Sequence, residues 1–346
     1  MKRLVLSAAL LFCAGITRAE DAGTSALEFL KLPVAARQAS MAGGGVALAD
    51  DVMAARDNPA ALALLPAWEA GFTYNSYLEG IRYEHAALGI PLPYGAIGVD
   101  VTSLSYGQID GYSADDQPTG DVSAGDLAAG LSYAYALKNG LALGVTGRFL
   151  REKIDYAVAT GASFDAGLQY LPNASSGLLS HVSFGAAAQN LGPGIRFESE
   201  KAPLPRQWSL GVGLDGFQKR LQSHVEIRKP LDRTAFAAVG AEYWLLRALA
   251  LRVGYETRDA LGPGVGAGIG LRIKAVQLDY AWRPSGDLGN SHVISLIVRW
   301  GERALAKRNF VRLPRRVLRR TMDASDPREN EWTEDAEELA RPTDKR

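Results

Sequence analysis

The chain has 346 residues, with 38 basic and 38 acidic side chains, 37 glycines and a single cysteine. Balanced charge argues against bulk nucleic-acid binding as its main business. The lone thiol, Cys13, lies in the leader, so a disulfide framework, a cysteine metal site and a cysteine nucleophile are excluded from the rest of the chain.

In chain order, residues 1–19 read as a cleaved signal peptide: Lys2 and Arg3, an apolar run from Leu4 to Gly15, then the small residues Thr17 and Ala19. A membrane anchor fits less well, because the apolar run is shorter than the roughly 20 residues that a helix needs to span a bilayer. Phe12, ahead of Cys13, is too large for a lipoprotein signal. Residues 20–66 are rich in Ala and Gly and broken by Pro33, Gly43, Gly44, Gly45 and Pro59, which argues against paired strands. Helix-period pieces here are short, such as Val46, Ala49 and Ala54 around Asp50 and Asp51.

From residue 67 to 300 the pattern has period two. Ile97, Val99 and Val101 alternate with Gly98, Asp100 and Thr102. Leu210, Val212 and Leu214 alternate with Gly211, Gly213 and Asp215. The face opposite the large apolar residues is mostly Gly, Ala and Ser with isolated charges, which suits a crowded interior better than a water-facing surface. The large face repeatedly ends in Tyr or Trp, as an interfacial girdle does. Gly262, Gly264, Gly266, Gly268 and Gly270 leave one whole face bare, so something must fill the space beside it. About fourteen strand-like runs are predicted. The fold class is therefore all-β: a transmembrane antiparallel barrel of about fourteen strands, with residues 20–66 as a small N-terminal luminal hatch. No later run holds 18 consecutive apolar residues, so spanning helices are not expected. Lys138-Asn139-Gly140 reads as a short turn, and Gly107 to Ser123 and Asn190 to Pro203 read as outer loops. Residues 301–346, basic to Arg320 and then acidic, read as a periplasmic charged tail, either disordered or a basic helix on an anionic leaflet or partner.

Chemical motifs are absent. His85, His181, His224 and His292 are scattered without metal-ligand spacing, and no nucleophile elbow or phosphate loop occurs. Ser291 and His292 are neighbours, but adjacent strand residues point to opposite faces. No catalytic residue, metal or cofactor is assigned, and the chain is read as a non-enzyme. Asp100, Arg148, Asp165, Glu226, Arg228, Arg252, Glu256, Asp279 and Arg283 fall on the small-residue face. Buried charges need partners, so they read as an ionic lattice anchoring the hatch in preference to a permeation path. Asn58 before Pro59 reads as a turn or cap, followed by Ala60. Phe29, Leu30 and Leu32 either line a hydrophobic site or pack against the wall.

Ala26-Leu27-Glu28-Phe29-Leu30-Lys31-Leu32-Pro33, Ala36-Arg37-Gln38-Ala39, Gly43-Gly44-Gly45, Ala47-Leu48-Ala49-Asp50-Asp51 and Asn58-Pro59-Ala60-Ala61-Leu62 resemble the start of the PorV/PorQ family, a branch of the outer-membrane barrels related to FadL. The resemblance implies a fourteen-stranded barrel with a luminal hatch in the outer membrane of a Gram-negative-type bacterium. It also implies a PorV-like role in protein secretion or surface attachment, with secreted cargo or envelope proteins as partners. The alternative from the wider group is FadL-like transport of long-chain fatty acids or other hydrophobic ligands, which enter from outside and leave sideways or through the hatch. Outer-membrane lipid is the expected surrounding, with no nucleic-acid partner.

Overall fold

The computed structural model describes residues 24–301, apart from positions 94, 114, 138–139, 173–180, 198–199, 218–219, 246–247 and 258–261. The predicted leader and charged tail lie outside the described residues. After a five-residue helix α1 (Ala36–Ser40) and short 3-10 turns, the strands run β1 (Trp68–Ser76), β2 (Arg82–Leu92), β3 (Gly95–Tyr112), β4 (Pro118–Ala136), β5 (Leu141–Ile154), β6 (Ala157–Tyr170) and β7 (Val182–Leu191). A small hairpin follows, β8 (Ile195–Phe197) with β9 (Glu200–Ala202). The wall resumes as β10 (Gln207–Gly216), β11 (Leu221–Pro230), β12 (Phe236–Trp244), β13 (Leu249–Glu256), β14 (Val265–Ile273), β15 (Val276–Pro284) and β16 (Asn290–Trp300).

Fourteen of these strands close an antiparallel barrel, and β8 and β9 form a separate two-stranded sheet. Closure joins the first and last wall strands, from Trp68 opposite Trp300 to Ser76 opposite His292. The two indole rings lie 6.2 Å apart at this seam. Closure leaves no open sheet edge, which is the condition for strands to exist in lipid. Accordingly the outward face is apolar: Val99, Leu131, Ile227, Val253 and Ile294 are all exposed, Leu131 by 62%. None of the helices described is long and apolar enough to cross a membrane.

The predicted outer loop Gly107 to Ser123 is corrected. After a bulge between Ser105 and Gln108 the ladder resumes, pairing Ile109 with Val122 and Gly111 with Gly120. Alternation of apolar and polar residues persists through a composition that resembles a turn. Strands β3 to β6, 14 to 19 residues long, therefore overtop the rest of the rim. The predicted loop Asn190 to Pro203 is also not plain loop, since it carries β8 and β9. Ile195 and Leu204 from this excursion are buried, and a Cβ built at Gly161 of β6 would lie 2.6 Å from Ile195. The hairpin is thus folded into the end of the lumen opposite Trp68 and Trp300.

Residues 24–65 occupy the lumen. Modest side chains on the inward face are what make room for them. A Cβ at Gly71 would lie 2.2 Å from Met53 Sδ, at Gly144 2.3 Å from the Pro59 backbone, at Gly213 2.3 Å from Leu48, and at Gly254 2.1 Å from Met41. Gly266 and Gly268 face Ala39 and Ser40, so the bare strand face is where α1 sits. Val46, Ala49 and Ala54 do not form one helix; between Val46 and Leu64 the helical pieces are the 3-10 turns Met53–Arg56 and Pro59–Leu64.

Candidate functional site

Three sets of interactions hold the luminal segment, and they are unequal. The first lies toward the end with Trp68 and Trp300. Arg37 of α1 donates to both carboxylate oxygens of Glu242, at 3.0 and 3.1 Å, and to Asp50 at 2.7 Å. Arg252 bridges Glu242 and Asp279, each at 2.7 Å, and Arg299 donates to Glu69 at 2.8 Å. Glu226 accepts the backbone N–H groups of Gly44 and Val46, both at 3.0 Å, and pairs with Arg228 at 2.8 Å. Gly43 has φ 139° and Gly44 φ 92°, values that side chains disfavour, and this turn aims their amides at Glu226. Each of these links is charge-assisted, the stronger class of hydrogen bond.

The second set faces β6 and β7. Asn58 precedes Pro59 in extended conformation, accepts from the Ala60 amide at 3.1 Å, and donates to the carbonyls of Val46 at 2.8 Å and Leu168 at 2.9 Å. Gln169 donates to the Ala47 carbonyl at 2.8 Å and Gln189 to the Arg56 carbonyl at 2.9 Å. Arg148 pairs with Asp165 and lies 3.5 Å from Asp100. Arg56 comes only to 3.6 Å from Asp165. Burial first, and then the neighbouring Arg148, lower the Arg56 guanidinium below its ordinary value. A void of about 10 Å³ borders Arg56, His85, Asp100 and Ser132.

The third set closes the far end. Lys31 pairs with Asp232 at 2.6 Å and Glu28 at 2.7 Å, and Arg233 reaches Glu28 at 3.3 Å. Ala26 donates its amide to the Pro203 carbonyl at 3.0 Å. Beneath this clasp Phe29 and Leu30 join Tyr83, Leu104, Leu150, Ile195 and Leu204 in one apolar layer. Phe29 meets Tyr83 edge to face, ring centroids 6.5 Å apart. Leu32 is partly buried against that cluster and Pro33 is intermediate in exposure.

All nine charges expected on the inward face point into the lumen. The structure sorts them into groups, with Arg283 on Glu256 at 2.7 Å between β15 and β13. The residues that complete the lattice are Arg37, Arg56, Asp50, Asp51, Glu69, Glu242 and Arg299, none of which the sequence reading assigned to it. Arg37 and Arg56 carried a signal nonetheless, being isolated cations in an Ala/Gly segment expected to be buried. Ser291 faces inward and donates to Asn75 at 2.7 Å, whereas His292 is exposed beside Tyr280. That separation gives the pair no shared site. His85 bonds Thr102 at 2.8 Å and His224 the Met41 carbonyl at 3.0 Å. Among the described residues no group of three or more His, Cys, Asp or Glu could hold a metal ion.

One concavity on the lipid-facing surface stands directly behind the second set. Ala166 of β6 and Ala186 and Ala188 of β7 form a low floor between Tyr133, Tyr135, Leu143 and Val145 on one side and Trp208 and Leu210 on the other. Cross-strand pairing lines them up, Val145 with Ala166, Ala166 with Ala188, and Ala188 with Trp208. The resulting groove has a volume of about 560 Å³ and an apolar lining. The wall beneath it is one backbone thick. A Cβ at Gly167, which faces the other way, would lie 2.1 Å from Asn58 Oδ1. Between Phe164 and Ala166 the β6–β7 register shifts. The bulge is bridged by Asn190, at φ 57°, whose amide donates to Asp165 at 2.6 Å.

No family model matches the chain, and no curated protein sequence matches it. Solved structures do. The Ralstonia pickettii toluene transporter TbuX superposes with a TM-score of 0.57 at 14% identity, over 77% of this chain and 98% of that one. A Pseudomonas aeruginosa FadL homologue gives 0.52 at 14%, over 76% and 97%. The Pseudomonas putida toluene transporter TodX gives 0.54 at 12%, over 76% and 96%. At these identities the likeness establishes a shared barrel fold.

Proposed function

We propose that the protein is an outer-membrane channel that passes hydrophobic small molecules between the outside and the membrane, with the groove over Ala166, Ala186 and Ala188 as the lateral exit. The observation that carries this reading is the placement of that groove. An apolar concavity opens to lipid where Gly144 and Gly167 of the wall are backed by the Asn58–Pro59 turn and Gly185 by Val46 and Ala47. Joining lumen and bilayer there takes two movements: displacement of the hatch, and parting of the β6–β7 ladder at its register shift between Phe164 and Ala166. The apolar layer of Phe29, Leu30, Leu150 and Ile195 supplies an entry of matching chemistry at the far end. An even strand number puts both barrel ends of the chain on the periplasmic side. The similarity of fold to toluene transporters and a FadL homologue supports this reading over the secretion role first expected.

Protein docking of the PorV kind is the second reading, and one feature favours it: Ile109, Tyr112, Ile154 and Tyr156 are exposed on the hairpins that overtop the rim, Tyr156 by 87%. Native mass spectrometry of the protein gently extracted from its own membrane separates the two. Retained fatty acids or aromatic hydrocarbons support transport, and stoichiometric co-purification of an envelope protein with no such ligand supports docking. For the exit itself, Ala188→Trp fills the groove from the lipid side. Uptake of radiolabelled toluene or oleate by cells that lack other such channels is expected to fall about fivefold or more. Unchanged uptake in a folded variant rejects the groove as the exit.

A further inference from the structure

We propose that the Arg56–Asp165 contact is a releasable latch: it holds the luminal segment against the β6–β7 wall, and letting go of it turns that segment about its opposite anchorage and opens the wall behind the groove. This rests on the transport reading of that groove, whose regulation it supplies.

The argument is one of asymmetry. On the side of β10 to β16 the segment is fastened by fully bonded charges, with Arg37 forked on Glu242 and Glu226 holding the Gly44 and Val46 amides. On the side of β6 and β7 the other links are neutral amide bonds from Asn58, Gln169 and Gln189. Neutral bonds have roughly half the strength of charge-assisted ones. Among the described residues, the one ionic contact from segment to wall on this side is also the longest between an arginine and a carboxylate in the lumen. Arg56 Nη1 stands 3.6 Å from Asp165 Oδ2 and, although buried, has no hydrogen-bond partner among the described residues. Its competitor is already in place, because Arg148 of β5 donates to the same Asp165 oxygen. Withdrawal of Arg56 therefore leaves Asp165 neutralised.

Asp165 is also the right residue to transmit the event. It points inward from the position next to Ala166 on the groove floor, and its other oxygen accepts the Asn190 amide that ties off the bulge between β6 and β7. Arg56 in turn donates through Nη2 to the Leu30 carbonyl at 2.8 Å. A molecule that displaces the Phe29–Leu30 layer thus pulls on Arg56. The latch couples the far-end apolar layer to the wall.

The test uses the full chain in bilayers with a reporter cysteine, Ala60→Cys, placed in the buried segment behind Gly144. The read-out is the rate of labelling by the membrane-soluble N-pyrenylmaleimide. Arg56→Met is expected to speed labelling by about fivefold or more, while Arg283→Met, which breaks a luminal ion pair on β13 and β15 away from β6 and β7, stays within about twofold of the parent. An unchanged rate in Arg56→Met, or equal acceleration in both variants, overturns the latch. If Arg56→Met does not fold, Gln189→Leu loosens the same side by removing its bond to the Arg56 carbonyl, and is read by the same criterion of acceleration over Arg283→Met. Toluene uptake by the same variants keeps the two ideas apart. Faster labelling without uptake in any variant retains the latch and rejects transport, and uptake by the parent with unchanged labelling does the reverse.

Discussion

Asp57 shows how a single side chain sets a condition on the luminal segment. It follows Arg56 at the end of a 3-10 turn, and its Oδ2 is buried without a hydrogen-bond partner among the described residues. Burial, working against the attraction of Arg228, raises its carboxyl from 3.8 to about 6. The folded state therefore binds the proton more tightly than the unfolded chain. The resulting stabilisation is complete below about pH 4 and is lost as the pH rises through about 6. Urea titrations followed by the heat-modifiable gel shift of the folded barrel are expected to show this loss in the parent. Asp57→Asn removes that component of the pH dependence and is expected to be about 1 kcal/mol more stable than the parent at pH 7.5. A parent and variant that differ equally at pH 4 and pH 7.5 contradict the assignment.

At the scale of the element, the strands are built around what they enclose. Gly144 and Gly147 both lie on β5, three residues apart, and so point to opposite faces. A Cβ at Gly144 would press to 2.3 Å on the Pro59 backbone, whereas at Gly147 no atom lies within 4 Å. Gly144→Ala is expected to cost about 1–3 kcal/mol through overpacking, and Gly147→Ala to stay within about 0.5 kcal/mol of the parent. Equal effects in the same unfolding assay contradict the packing described. This contrast was legible in the sequence as alternation of glycine with large apolar residues. The extension of β3 to Tyr112 and of β4 back to Pro118 was not, since Gly, Asp and Pro at those positions carry the composition of a turn while the ladder there continues by backbone pairing.

At the scale of the whole molecule, the barrel is an inside-out protein whose core is its own N-terminal segment. Val212, midway along β10, faces outward. Val212→Arg is expected to cost about 2–4 kcal/mol when the barrel is unfolded from bilayers, and a negligible cost contradicts a lipid-facing position. The interior meets a different requirement. Each charge carried inward must find a partner there, because an unpaired ion away from water is far more costly than a paired one. The hatch consequently carries cations, Arg37 and Arg56, to a wall rich in carboxylates.

The sequence by itself determined the all-β class, a count of about fourteen wall strands and, where alternation is clear, which face of a strand is apolar, because a two-residue period records side-chain direction without reference to any partner. It also marked the stretch that fills the lumen, since bare strand faces demand a filler and only one stretch was small enough in its side chains to be it. Tertiary structure alone decided which carboxylate each arginine meets, where β6 and β7 slip register, and that the β8–β9 hairpin turns inward. Those outcomes depend on contacts between segments distant in the chain, and at the seam on closure of the ring, which sets Glu69 beside Arg299 although 230 positions separate them. No local pattern records such a pairing.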